Sequence, residues 1–221
     1  MNGKRRKIVI ITDGDYIAQK AVESVARQVG GRCISLSAGN PTPLTGEQMV
    51  ELIKMAANDP VLVMFDDNGN YGRGRGEQAI EYVIRHPDIE VLGAIAVASN
   101  TKWVSGIQVP VSIDNHGNII EDAVDKDGYR DKTLESRIYG DTVDILQAAN
   151  IPHVIGIGDI GKMEGRDSLR FGCPITLKAV KWILERSGWY GNRDNREAAD
   201  LGTGGAEQGA IEQQAGRGSH L

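Results

Sequence analysis

Residues 91–98 read Val-Leu-Gly-Ala-Ile-Ala-Val-Ala, apolar at every position except Gly93. A strand that alternates apolar and polar residues can face water on one side. A strand with no polar position has to be covered on both. Helices above and below a mainly parallel sheet provide that cover, so this one run already points to the α/β class. The rest of the first hundred residues agrees. Residues 7–12, 32–36 and 61–65 are short aliphatic runs that predict strands. Between the first two, Ile17, Ala18, Ala21, Val22, Val25 and Val29 recur at helical spacing, and Gly30-Gly31 ends that helix. Thr45 followed by Gln48 forms a capping-box pattern and predicts a helix over 45–58. Another helix is predicted over 76–85.

The rhythm breaks after residue 98. Residues 109–113 and 118–120 flank Asp114-Asn115-His116-Gly117, which predicts a β-hairpin. Residues 122–136 are polar and carry no period that assigns an element. A helix over 141–149, a strand over 154–157 and a helix from Pro174 to about residue 186 complete the pattern, with Ala179, Val180, Ile183 and Leu184 on the buried face of the last. The expected architecture is a three-layer sandwich around a mainly parallel sheet, Rossmann-like or Toprim-like, with a β-hairpin insertion. The expected organisation is a basic N-terminus over 1–6, a single α/β domain over 7–190 and a disordered tail over 191–221. That last stretch is rich in Gly, Gln and Glu, and its large aliphatics are Leu201, Ile211 and Leu221. So few apolar groups cannot offset the entropy of ordering the chain.

Charge and cysteine content exclude several classes. The formal net charge is −5, without the basic excess that phosphate neutralisation demands, so no nucleic-acid partner is expected. Cys33 and Cys173 are too few for a disulfide framework or a metal cluster. No apolar run approaches the ~18 residues of a membrane span. Lys4, Arg5, Arg6 and Lys7 resemble the start of a signal peptide, but the apolar stretch behind them, residues 8–11, falls short of the roughly 7–15 residues required. The expectation is a chain without signal peptide or membrane span. Its basic start is suited to peripheral contact with anionic lipid.

Ligands of parallel α/β sheets bind beyond the carboxyl ends of the strands, and three charged loops fall there. Thr12-Asp13-Gly14-Asp15 places two carboxylates on a tight turn, where they can share one Mg²⁺ or cap the following helix. Asp66-Asp67-Asn68-Gly69-Asn70-Tyr71-Gly72-Arg73-Gly74-Arg75-Gly76 combines acidic groups with glycines and two arginines that suit an anion. It is neither a P-loop nor a dinucleotide fingerprint, because the closing Lys-Ser/Thr and the glycine spacing are missing. Gly156-Ile157-Gly158-Asp159-Ile160-Gly161-Lys162 is the third loop and offers Asp159 and Lys162. The ligand-binding candidates are therefore Asp13, Asp15, Asp66, Asp67, Arg73, Arg75, Asp159 and Lys162. Asp13, Asp15 and Asp67 are the metal candidates, for Mg²⁺ or Ca²⁺, and no other cofactor is expected. An Asp-x-Asp after the first strand also opens haloacid-dehalogenase-type phosphatases, but Ile17 stands where those carry Thr or Val. The paired acidic loops are reminiscent of Toprim enzymes as well, in a different order.

Taken together, Ile8-Val9-Ile10-Ile11-Thr12-Asp13-Gly14-Asp15, Phe65-Asp66-Asp67-Asn68-Gly69-Asn70 with Gly72 and Gly74, and Gly156-Ile157-Gly158-Asp159-Ile160-Gly161-Lys162-Met163 resemble the stage V sporulation protein AE family over residues 6–188. That family is the soluble AE-type subunit encoded among the SpoVA proteins of spore-forming Gram-positive bacteria. The resemblance implies a non-enzymatic accessory protein of the system that moves dipicolinic acid with its Ca²⁺. Its partners would be other SpoVA and spore germination proteins, at the outer face of the spore inner membrane. It supplies no catalytic residues. Two other readings rest on the loops themselves: a Mg²⁺-dependent Toprim-like phosphoryl-transfer enzyme, and a sensor that binds an anion or calcium dipicolinate without chemistry.

Overall fold

The computed structural model describes residues 4–68, 74–100, 105–140 and 142–190. In chain order the elements are β1 (Arg6–Ile11), α1 (Tyr16–Gln28), β2 (Arg32–Cys33), α2 (Gly46–Met55), β3 (Val61–Met64), α3 (Arg75–Arg85), β4 (Ile89–Val97), β5 (Ile107–Gln108), β6 (Ser112–Ile113), β7 (Ile119–Ile120), β8 (Ala123–Val124), β9 (Arg130–Asp131), β10 (Arg137–Ile138), α4 (Val143–Ala148), β11 (Val154–Ile157) and α5 (Pro174–Arg186). Contacts divide the chain into Met1–Ile183 and Leu184–Leu221. Of the second unit, residues 184–190 are described. They carry the last turn of α5, where the Ser187 hydroxyl donates to the carbonyl of Leu184 at 3.0 Å. The expected tail over 191–221 lies outside the described residues.

Seven strands form one sheet in the order β2-β3-β1-β4-β11-β6-β7. Every neighbouring pair is parallel except β6 with β7. β1 lies between β3 and β4, and all five of its residues from Lys7 to Ile11 are buried. Its even positions, Ile8 and Ile10, join Val61, Val63, Ala94 and Ala96 in one cluster with Met49, Val50 and Ile53 of α2, Ile80 and Val83 of α3, and Leu146 of α4. Its odd positions, Val9 and Ile11, point away from that cluster and are as fully buried. There a Cβ on Gly93 would come within 2.7 Å of the Ile183 side chain, which places α5 over β4 on the second face. The run over 91–98 is thus covered on both sides, as its composition requires.

Several boundaries differ from the pattern reading, each for a local reason. The strand expected over 32–36 stops at Cys33, and Ser35–Ser37 forms a 3₁₀ turn. The Ser37 hydroxyl accepts from the Met64 N–H at 2.9 Å and donates to the Ile34 carbonyl at 2.6 Å. A side chain thereby replaces the backbone partner that a longer β2 would have offered β3. The helix expected to reach residue 58 ends at Met55, because Ala56 turns to an extended conformation on the way into β3. The capping box of Thr45 and Gln48 is present. The hairpin forms as well, with Ser112 opposite Ile120 and Ile113 opposite Ile119, but it continues the main sheet through β6 and β11 instead of standing apart as an insertion. The unassigned polar stretch makes the β8/β9 ribbon and a 3₁₀ turn.

Val63 and Ile95 are fully buried in register with Ile10 and with Ile11 and Ile155. An unpaired carboxylate at either position has neither water nor a partner. Val63→Asp and Ile95→Asp are each expected to abolish cooperative folding. Thermal melting followed by circular dichroism checks this, and a soluble variant with a cooperative melt would contradict the sheet assignment.

Candidate functional site

Because β1, β3, β4 and β11 run parallel, their carboxyl ends share one edge of the sheet. Asp13 and Asp15 follow β1, Asp66 and Asp67 follow β3, and Asp159 follows β11. The Thr12 hydroxyl fastens the first of these loops to β4. It accepts from the Val97 N–H at 3.0 Å and donates to the Ile95 carbonyl at 3.4 Å. The Gly14 N–H donates to Asp66 Oδ2 at 3.2 Å, joining the first loop to the second. Gly14 also faces Gly39, whose N–H donates to its carbonyl at 2.8 Å. A Cβ at Gly14 would lie 2.6 Å from the Gly39 carbonyl oxygen, so the approach requires glycine.

The first and third loops meet in a charged cluster. Lys162 Nζ donates to Asp15 Oδ2 at 2.5 Å and to both Asp159 oxygens at 3.0 and 3.1 Å. Asp15 Oδ1 accepts the Ala18 N–H at 2.8 Å and so caps α1. Partial burial opposes the charge of Asp15 and of Lys162. The bonds between them prevail, holding the carboxyl below its usual range and the ammonium above its own. Asp13 differs. It is 8% exposed, its Oδ1 accepts only the Asp15 N–H at 3.2 Å, and its buried Oδ2 has no hydrogen-bond partner. Burial, and then the nearby Asp15 carboxylate, push the Asp13 carboxyl up to about 7.

The remaining candidates do other work. Asp67, 2% exposed, turns both oxygens onto the start of α3, accepting from Gly76 N–H at 2.6 Å and Glu77 N–H at 3.0 Å. Gly74 stands at the N-cap without a side chain to offer, and a Cβ there would lie 2.3 Å from the Asp67 carboxylate. Asp66 Oδ1 accepts from Asn68 N–H at 2.8 Å, while its backbone is pinned by Thr42. Exposed Arg75 donates to the Pro43 carbonyl at 2.9 Å. Arg73 lies outside the described residues. At the N-terminus, Arg5 and Lys7 pair with Glu90, and Arg6 pairs with Asp59 at 2.9 Å. Burial pushes both thiols, Cys33 and Cys173, up to about 12, which favours the neutral thiol over the thiolate.

Pattern reading missed Asp167. It is fully buried and accepts from Gly161 N–H (2.9 Å), Ile175 N–H (2.8 Å), Thr176 N–H (3.0 Å) and the Thr176 hydroxyl (2.5 Å). It fastens the third loop to the start of α5. The available signal was its position ahead of Pro174 in a glycine-rich loop. Among the described residues no three His, Cys, Asp or Glu side chains gather closely enough to hold a metal ion between them.

A family model described as Stage V sporulation protein AE1 matches residues 7–187. No curated protein and no solved structure matches the chain.

Two substitutions separate the roles of these aspartates. Between the ordinary carboxyl value of 3.8 and about 7, folded Asp13 holds a proton that the unfolded chain has released. Stability therefore falls as pH rises through that window and levels above it. Asp13→Asn should flatten the profile and, in chelator, raise stability at pH 8 by up to about 4 kcal/mol. Denaturant titrations at a series of pH values check this. Asp67→Ala should instead destabilise by about 1–3 kcal/mol at neutral pH, because two N–H groups at the start of α3 lose their acceptor. The same titrations read that loss.

Proposed function

Because the chain belongs to the stage V sporulation protein AE family, we propose that it is a non-enzymatic accessory subunit of the SpoVA dipicolinic acid channel system. It acts in sporulation and spore germination through contacts with other SpoVA and germination proteins at the outer face of the spore inner membrane. The family match carries this reading. It spans 7–187 and so takes in the whole sheet and its helices, where a single loop motif would be weak support. The family is not known as an enzyme family.

Two structural features support a role exercised through contacts. Among the described residues no helix is long and apolar enough to cross a membrane, which suits a subunit that meets a membrane system through partners. The first helix also has an outer face fit for contact. Tyr16 (73% exposed) and Ile17 stand at its start, with exposed Leu36 on the neighbouring 3₁₀ turn. Ser35 of that turn is tied to the helix by Gln19 at 3.2 Å. Beside the other end of α1, Leu169 and Phe171 (66% exposed) protrude from a second 3₁₀ turn, and Arg170 lies over the Phe171 ring at 5.7 Å. Exposed aromatic side chains beside arginine are the composition of interface hot spots.

Tagged protein purified from dormant spores is expected to bring other SpoVA proteins with it. Leu169→Asp with Phe171→Asp should reduce that recovery while leaving the melting temperature within about 2 °C, since both side chains already face water. Failure of the unaltered protein to recover any SpoVA protein, with and without membrane solubilisation, would overturn the proposal.

A further inference from the structure

The cluster at the ends of β1 and β11 is electrically unfinished. Asp13, Asp15 and Asp159 face one ammonium, Lys162. With all four ionised, three negative charges meet one positive charge, leaving two. Asp15 and Asp159 are satisfied by Lys162, and Asp15 also by the start of α1. Asp13 Oδ2 is buried, has no donor, and belongs to a side chain more than nine-tenths buried in the same cluster. A buried carboxylate oxygen without a partner is costly, and native structures rarely leave one so.

We propose that Asp13 and Asp15 bind one hard divalent cation of the Mg²⁺ or Mn²⁺ class at the carboxyl end of β1, with Asp13 Oδ2 as the first ligand and Asp15 Oδ2 as the second. The charge of such an ion equals the two charges left over. Mg²⁺ is held by one or two carboxylates with water filling its other positions, so a third protein ligand is not required. Ca²⁺ asks for six to eight oxygen ligands, more than this turn presents. Softer ions favour the imidazole or thiolate ligands that the cluster lacks. Lys162 is the competing cation. Its ammonium bridges Asp15 and Asp159, and the metal draws Asp15 Oδ2 away from it while Asp159 keeps the ammonium in place. The site lies where parallel α/β sheets bind their ligands, beyond the end of β1, an interior strand flanked by β3 and β4.

Mn²⁺ titration of the full chain, with free Mn²⁺ read by electron paramagnetic resonance, tests the site. One Mn²⁺ per chain is expected, displaced by Mg²⁺. Asp13→Asn should weaken binding by about tenfold or more, since loss of even an outer-shell partner costs about 10–100-fold. Lys162→Met removes the competitor and should tighten binding. Should Asp13→Asn fail to fold, Lys162→Met still decides, because a merely diffuse attraction of Mn²⁺ to an acidic surface would change little on loss of one lysine. Absence of bound Mn²⁺ at millimolar concentration in both the unaltered chain and Lys162→Met would overturn the inference. So would an Asp13→Asn variant that binds as tightly as the unaltered chain. Recovery of SpoVA partners from spores is a separate readout and is not altered by either result.

Discussion

Three of the helices begin on an aspartate carboxylate from a loop that follows a parallel strand. Asp15 follows β1 and accepts from the first turn of α1. Asp67 follows β3 and accepts from two N–H groups of α3. Asp167 lies beyond β11 and accepts from two N–H groups of α5. The physical reason is common to all three. A helix start presents unsatisfied N–H groups and a partial positive charge, and a parallel sheet delivers several such starts to one edge. Carboxylates near helix starts stabilise each strand-to-helix turn, and together they tie the edge to the sheet. The close contacts at Gly14 and Gly74 follow from this, since a side chain at either position would collide with the loop or the carboxylate it serves.

This arrangement explains which parts of the fold are legible in sequence. The strands over 61–64 and 154–157 and the helix from Pro174 are readable because burial on a strand or along one helical stripe depends on neighbours close in sequence. The capping box at Thr45 is readable for the same reason, its partner being three residues away. The caps of α3 and α5 are not. Asp67 reaches a helix that starts eight residues later, across a glycine-rich loop, and Asp167 one that starts seven later. Both therefore sit outside the N-cap position where a pattern search looks. The polar stretch over 122–136 is opaque because it is organised by distant partners. The Asp159 N–H donates to the Lys126 carbonyl at 2.7 Å, and a Cβ at Gly158 would lie 2.7 Å from both that oxygen and the Gly128 nitrogen.

The seven candidate residues that are described show the same division. Their loops share one sheet edge, as the parallel order implies, but residue type alone could not assign their roles. Asp67 and Asp13 are both buried acids beside a glycine-containing turn, yet one has two backbone donors and the other lacks a donor for one oxygen. Lys162 reaches Asp15 across 147 positions of sequence, a pairing with no local signature. Arg75 is held by the Pro43 carbonyl, so its guanidinium is committed in part to a neighbouring loop.

The ion cluster and the exposed face of α1 use the same short segments. Asp15, which bonds to Lys162, is directly followed by Tyr16 and Ile17, which are exposed. Gly161, next to Lys162, packs so closely on α1 that a Cβ there would lie 2.9 Å from the Ile17 side chain and 3.2 Å from that of Ala21. Gly161 is also in the left-handed region, at φ +74°, where a side chain would add strain. Its N–H bonds to Asp167, which holds the start of α5. The charges that clamp the first loop to the third therefore also set the start of α1, and with it the exposed side chains of Tyr16 and Ile17.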